Sequence, residues 1–352
     1  MALWMEKGVA LLSSTVTGPS KPPYVVPTLG EIYSVPSNGL KVVSTFSGCG
    51  GSCLGFKMDG YRVLWANEFV PHAAMTYEIN HRGVPLDRRD IREVTTSDVR
   101  DVIGDQEIDV FEASPPCSSF SEAGAKDKGW GKEIKYSSGR QRSDDLFYEY
   151  ARLVEGLRPK VFIAENTSGL IKGVAKGYFK QILAHLKSLD YEVEAKLLDA
   201  QWLGVPQRRE RVFFIGVRKD LGKMPMWPKP FPYRYVLADV LPYVRSFHRP
   251  GLNSKGIPRA WHVAAEEPMN ALTTHAIRQS KKGWFSSNGF IELHTGEKRR
   301  ITLDELRLVS SFPNDFELTG NKYQAWERIA RAVPPRVAYA LAKTIREEIL
   351  NG

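Results

Sequence analysis

The chain of 352 residues carries 49 Lys+Arg against 40 Asp+Glu, a formal charge of +9, with 42% hydrophobic and 25% charged residues. Those proportions are ordinary for a globular protein and exclude a collagen-like chain, a coiled coil or a wholly disordered one. No run of about 18 uncharged apolar residues is present, as a membrane-spanning helix would need. Three cysteines are too few to staple a secreted scaffold, so a soluble protein of a reducing compartment is expected.

Residues 1–20 hold Glu6 and only a short apolar run, Val9–Leu12, which is not a secretory signal. The proline-rich stretch Pro19–Asn38 reads as an extended lead-in, and residues 1–39 as an N-terminal extension. From Lys41 onward the pattern is strand, turn, helix. Apolar runs at Lys41–Phe46, Arg62–Ala66, Ile108–Ala113, Val161–Ala164, Val193–Leu198 and Arg211–Gly216 predict strands. Between two of them lies a helix capped by Ser143, with Asp144 and Asp145 at its positive end. Its buried face is Leu146, Phe147, Tyr150, Leu153, Val154 and Leu157. A second helix is expected near Phe179–Leu189. Alternating strands and helices predict an α/β fold with a mostly parallel sheet covered on both faces. Ligands of such sheets bind beyond the C-terminal strand ends.

The first strand runs into Phe46–Ser47–Gly48–Cys49–Gly50–Gly51, and the second ends in Asn67–Glu68, with Glu68 20 residues after Gly48. Glycines let the backbone approach a ligand, and an acid at that spacing can accept hydrogen bonds from ribose hydroxyls. The spacing of Cys49 and Cys53 lacks the further His or Cys that a zinc site requires, so no metal is expected. The third long strand ends in Ser114–Pro115–Pro116–Cys117, where two prolines stiffen the turn before a thiol. Thiolate is a strong nucleophile even as a minority species. The next strand ends in Glu165–Asn166, and Gln207–Arg208–Arg209–Glu210–Arg211 opens another, with alternation placing Arg209 and Arg211 on one side.

After Gly216 the texture changes. Residues 217–300 hold 15 Lys+Arg against 6 Asp+Glu, an excess equal to the whole chain's +9, with eight prolines and ten aromatic residues. Helical periodicity disappears. Basic residues interleaved with aromatics suggest a nucleic-acid surface on a second, irregular or β-rich domain.

Taken together and in order, these elements resemble the cytosine-C5 DNA methyltransferases of bacterial and phage restriction-modification systems. The resemblance spans about Lys41 to Leu350. It is carried by the glycine turn, Asn67–Glu68, Asp90–Ile91, Pro116–Cys117, Glu165–Asn166, Gln207–Arg211, Arg300–Thr302 with Phe312–Pro313, and Val333–Pro334–Pro335. Departures are Ser118 after the cysteine, Thr167 after Glu-Asn, Ala330–Arg331 in place of Gly-Asn in the last element, and Glu112 where the family prefers a small or apolar residue.

The resemblance implies a Rossmann-like S-adenosylmethionine-dependent methyltransferase sheet in residues 40–216. It implies a smaller, irregular, β-rich target-recognition domain in 217–300, and a segment 301–352 that packs back on the catalytic domain. It implies S-adenosyl-L-methionine held by Phe46, Ser47, Gly48, Gly50, Gly51, Glu68, Phe69, Asp90, Ile91, Pro116 and Val333. The implied catalytic set is Cys117 as nucleophile, Glu165 as acid, and Arg211 at the pyrimidine O2 with Arg209 close by. Glu165 must then hold a proton near neutral pH, so burial should raise its pKa. Double-stranded DNA is the implied partner, with a cognate restriction endonuclease as a functional pair, in a cytoplasmic, nucleoid-associated monomer. Residues 122–142 read as a glycine-bearing, charged lid. The tRNA-methylating branch of the family is one alternative, but it carries Cys-Phe-Thr in its target domain, and residues 217–300 contain no cysteine. A catalytically weak DNA-binding regulator is the other, supported by the altered Ala330–Arg331 and opposed by intact Cys117 and Glu165.

Overall fold

The six apolar runs named above all form strands of one seven-stranded sheet in the computed structural model. The structure describes residues 21–116, 134–136, 139–141, 145–171, 175–252, 258–271 and 290–351. The strands up to Arg218, the catalytic half in the sense expected from sequence, are β1 (Lys41–Thr45), β2 (Arg62–Asn67), β3 (Leu86–Asp87), β4 (Val110–Ala113), β5 (Ile134–Tyr136), β6 (Gly139–Gln141), β7 (Val161–Thr167), β8 (Tyr191–Asp199), β9 (Gln207–Arg208) and β10 (Glu210–Arg218). The large sheet has the order β3-β2-β1-β4-β7-β10-β8, and β5 and β6 form a separate pair. The two-residue β3 carries too little pattern to be read from sequence.

β1, β2, β3, β4 and β7 are mutually parallel, whereas β10 runs antiparallel to both β7 and β8. This reversal has a functional consequence. The beginning of β10 lies beside the end of β7, with Arg211 opposite Thr167 and Phe213 opposite Glu165. Arg211, the second residue of β10, is thereby delivered to the edge where the parallel strands end.

The helices are α1 (Leu29–Tyr33), α2 (Gly51–Met58), α3 (Pro71–Asn80), α4 (Thr96–Ile103), α5 (Leu146–Leu157), α6 (Ala175–Ser188), α7 (Leu237–Val240), α8 (Leu303–Val309), α9 (Lys322–Arg331) and α10 (Pro335–Thr344). Side chains of α4, α5 and α6 form one core with the sheet, and those of α2, α3 and α10 a second. The six apolar residues expected on the inner face of α5 are all buried. Its N-cap is Asp145, without a side-chain cap bond, and the expected cap Ser143 lies outside the described residues.

A third core joins Leu54 of α2 to Leu237, Phe247, Ile291, Phe312 and Ile329. Its strands are β11 (Val244–Leu252), β12 (Pro258–Ala264), β14 (Phe290–Leu293) and β15 (Lys298–Arg300), in an antiparallel sheet of order β12-β11-β14-β15. The short β13 (Met269–Asn270) instead pairs with β9 of the catalytic half. The proline-rich lead-in contains α1, with the complete Thr28/Glu31 capping box, and buries Ile32 to 2% exposure in this third core. The stretch expected to be merely extended is thus a packed strap, because a capping box and one apolar anchor suffice to seat a single helical turn. Among the described residues no helix is long and apolar enough to cross a membrane.

Candidate active site

β1 ends in a turn with three left-handed residues, Phe46 at φ 53°, Gly48 at 58° and Gly50 at 88°. Only glycine adopts that region without steric cost, so Phe46 marks a strained turn of the kind found where ligands bind. The turn is bonded to the acid that spacing singled out. The Gly48 N–H donates to Glu68 Oε2 at 2.7 Å, and the Val70 N–H donates to Oε1 at 2.7 Å. Burial raises the Glu68 carboxyl above its ordinary range, against backbone donors and the charge of Arg328.

Two of the glycines are required by what lies behind them. A Cβ on Gly50 would fall 2.0 Å from His81 Nε2, and one on Gly51 would fall 2.2 Å from the Val333 carbonyl oxygen. Gly48, by contrast, has open space where its Cβ would be. The adjacent Phe69 ring is 43% exposed although it follows a buried strand end. An open glycine face, a buried acid and an uncovered aromatic ring fit a nucleoside-bearing cofactor. Ile91 is buried, and Asp90 caps a 3₁₀ turn, its carboxylate 2.9 Å from Arg92, which reaches on to Asp145 at 2.6 Å.

At the same sheet edge Glu165 is 8% exposed, and Arg211 Nε lies 2.9 Å from its Oε1. Burial raises the Glu165 carboxyl above its ordinary value, with Arg211 and Arg209 opposing. The expectation of a raised pKa therefore holds. The Ser114 hydroxyl also bonds Glu165, and Asn166 Nδ2 donates to the Pro115 carbonyl at 3.0 Å. Asn166 thereby ties the tip of β7 to the proline turn that precedes the thiol. Pro116 is half-buried, and Cys117, with most of the expected 122–142 lid, lies outside the described residues.

Arg209 departs from expectation. β9 ends at Arg208 and β10 begins at Glu210, so Arg209 occupies the break and strict alternation with Arg211 does not apply. Its buried guanidinium donates to the carbonyls of Ala330 (2.8 Å), Arg331 (3.2 Å) and Ala332 (2.8 Å). Those are the last carbonyls of α9 and the residue after it, which a helix end leaves without internal partners. The altered Ala330–Arg331 pair is thus held through its backbone, and Val333 beyond it is buried against α2. Arg331 reaches Glu327 at 2.8 Å along the helix.

Sequence reading did not find Asn166's bond, His81, Arg328 or Ser44 as parts of the site. Only Asn166 carried a signal, its place beside Glu165. His81 and Arg328 come from elements distant from the turn in the chain, and Ser44, though in β1, is joined to the site by Glu112 on β4. Among the described residues no group of three or more His, Cys, Asp or Glu is placed to hold a metal.

The model for C-5 cytosine-specific DNA methylases matches residues 40–242 and 242–347. The chain is 30% identical to the Type II methyltransferase M.NgoPII of Neisseria gonorrhoeae over 349 residues, covering 89% of this chain and 97% of that protein. It is 27% identical to the Type II methyltransferase M.MthTI of Methanothermobacter thermautotrophicus, covering 88% and 98%. Among solved structures, a prophage-encoded protein of E. coli described as a DNA modification methyltransferase aligns with TM-score 0.64 at 21% identity, over 89% of this chain and all of that one. The S. pombe Dnmt2 methyltransferase aligns at 0.60 and 15%, again over 89% of this chain and all of the other. These two share the fold, and with it the Rossmann-like sheet. On this evidence the chain belongs to the C-5 cytosine-specific DNA methylases and is an enzyme of that family.

Proposed function

We propose that the enzyme transfers a methyl group from S-adenosyl-L-methionine to C5 of a cytosine flipped out of a specific double-stranded DNA sequence. The observation that carries this reading is a single sheet edge. There the Glu68-bonded glycine turn, the proline turn before Cys117 and the Glu165–Arg211 pair stand side by side.

When bound, the cofactor supplies an electrophilic methyl on a sulfonium. Glu68 would accept hydrogen bonds from its ribose, Phe69 and Asp90–Ile91 would border its adenine, and the open face of Gly48 would admit it closely. Cys117 thiolate adds to C6 of the base, which makes C5 nucleophilic. Glu165 holds a proton at N3 while charge develops, and Arg211 binds O2. After methylation the C5 proton passes to water, the C5–H electron pair re-forms the C5=C6 bond, and the S–C6 pair leaves on sulfur, regenerating the Cys117 thiolate. A stacked base cannot reach these groups, which is the physical case for flipping.

Arg209 acts as a positioning residue, holding the 330–332 backbone behind the cofactor turn. Residues 217–300 read the target sequence. The enzyme pairs functionally with a restriction endonuclease of the same genome, as the Type II names of its relatives suggest.

The test is methyl transfer from labelled S-adenosylmethionine to sequence-diverse duplex DNA and to tRNA, with wild type and Cys117→Ala. Label in duplex DNA from wild type alone supports the reading. Label in tRNA only, or equal label with Cys117→Ala, overturns it.

A further inference from the structure

Glu112 is the acid that departs from the family's preference, and the structure gives it a place. It sits in β4 directly beside Ser44 of β1 and is 4% exposed. Ser44 Oγ donates to its carboxylate, and Ser44 Oγ is 2.6 Å from Ser47 Oγ in the cofactor turn. Cys53 Sγ lies 3.6 Å from Glu112 Oε1, and the Ser52 hydroxyl also reaches it. The other titratable groups around it are Tyr77 on α3, which bonds Cys53 at 3.3 Å, Tyr150 on α5 and Glu165 on β7. None of these bonded or facing groups is a cation; Lys57 of α2 acts electrostatically on Cys53, and burial lowers its own pKa to about 8. A buried carboxylate without a directly paired counter-charge is costly, so a cation supplied by a ligand would stabilise it.

The Ser44–Ser47 contact makes the protonation of Glu112 legible at the ligand. When Glu112 is ionised, Ser44 donates to it, Ser47 donates to Ser44, and the Ser47 oxygen turns lone pairs outward. When Glu112 is protonated, the chain reverses, and the Ser47 O–H points outward as a donor. We infer that Glu112, through Ser44 and Ser47, lets the cofactor turn distinguish the positively charged methyl donor from its neutral demethylated product. The inference rests on the cofactor reading above. Methyl transfer removes the sulfonium charge, so the relay favours the incoming donor and weakens the hold on the spent one.

Burial pushes the Glu112 carboxyl up to about 7, with Ser44, Cys53 and Ser52 opposing. A cationic ligand lowers that value, so donor affinity should rise with pH through neutrality. A one-unit lowering corresponds to about a fivefold gain between pH 6 and 8.

The experiment measures the Kd of S-adenosylmethionine and of S-adenosylhomocysteine by calorimetry from pH 6 to 8.5, for wild type and Glu112→Gln. The glutamine amide donates to Ser44 as the protonated acid would. Wild type is expected to gain about fivefold for the donor and stay flat for the product, while Glu112→Gln stays flat for both. The same rise in wild type and variant, or an equal loss for both ligands in the variant, overturns the inference. Should the variant not fold, a wild-type donor-to-product ratio that does not change with pH overturns it alone. Binding of neither ligand would instead overturn the cofactor reading itself.

Discussion

Arg211 Nε lies 2.9 Å from Glu165 Oε1 at the edge of the sheet, yet burial still raises the Glu165 carboxyl above its ordinary value. The ion pair favours the carboxylate and the apolar surroundings favour the acid, and the acid gains. Arg211 thus keeps the proton on Glu165 transferable, because a carboxyl buried with no cation would hold it more tightly. With Glu165 in its proposed role as the acid, the rate should fall as pH rises through its pKa, since that role needs the protonated form. Removing the cation in Arg211→Gln should move that alkaline limb to higher pH while lowering kcat. Glu165→Gln should abolish the limb and cost about a hundredfold or more in kcat. A pH profile of kcat for the three proteins checks both.

Arg209 and Arg211 are two residues apart and contact different elements, Arg209 the 330–332 backbone and Arg211 the Glu165 carboxyl. Arg209 spends its N–H groups on three backbone carbonyls behind the cofactor turn. Lysine keeps the charge but cannot reproduce that fork. Arg209→Lys should raise KM for the cofactor about tenfold, with little change in KM for DNA, and Arg211→Lys should chiefly lower kcat. Steady-state kinetics with each substrate varied in turn separates the two outcomes.

Gly48 and Gly51 should fail for different reasons. An alanine at Gly48 meets open space but must adopt φ near 58°, a strain of about 1–2 kcal/mol, and places a methyl where the ligand approaches. An alanine at Gly51 meets the Val333 carbonyl at 2.2 Å, so α2 and the 330–333 segment must separate. Gly48→Ala should weaken cofactor binding more than it lowers Tm. Gly51→Ala should lower Tm more, by about 1–3 kcal/mol of stability. Thermal melts with and without cofactor distinguish them.

Arg336 joins four segments of chain. Its guanidinium lies 4.6 Å from the Tyr24 ring centroid and 5.3 Å from that of Tyr235, and it donates to the carbonyls of Val25 and Gly204. Tyr24 in turn donates to Leu308 O at 2.8 Å, and Lys21 pairs with Asp239 at 2.7 Å. Arg336→Ala should cost about 2 kcal/mol and make Lys21–Gly39 susceptible to protease while the catalytic half stays folded. Limited proteolysis followed by mass spectrometry checks this.

Much of the fold was legible because hydrophobic period and glycine placement are local. Six strands and the inner face of α5 follow from residues a few positions apart. The placement of Glu68 beside the glycine turn was legible for a related reason, since one strand–helix–strand unit fixes the spacing, but its bond to the Gly48 N–H was not. The reversal of β10 was not, because strand direction depends on the connection after β8 rather than on the strand's own residues. Arg209 was misplaced for the same reason. Alternation is a property of a continuous strand, and the break at Arg209 arises where β9 leaves to pair with β13, some sixty residues later in the chain. The strap was hidden because proline-rich composition signals extended backbone, while its anchoring depends on Asp239, Asp315 and Arg336, far along the sequence.

The proposed role of Cys117 is to drive methylation of cytosine C5 in duplex DNA. Its most direct test is base-resolution mapping of 5-methylcytosine in the genome of a methylation-free host expressing wild type or Cys117→Ala. 5-Methylcytosine is expected at one recurring sequence with wild type and nowhere with Cys117→Ala. No 5-methylcytosine with the wild-type protein, or an identical map from the variant, would contradict it.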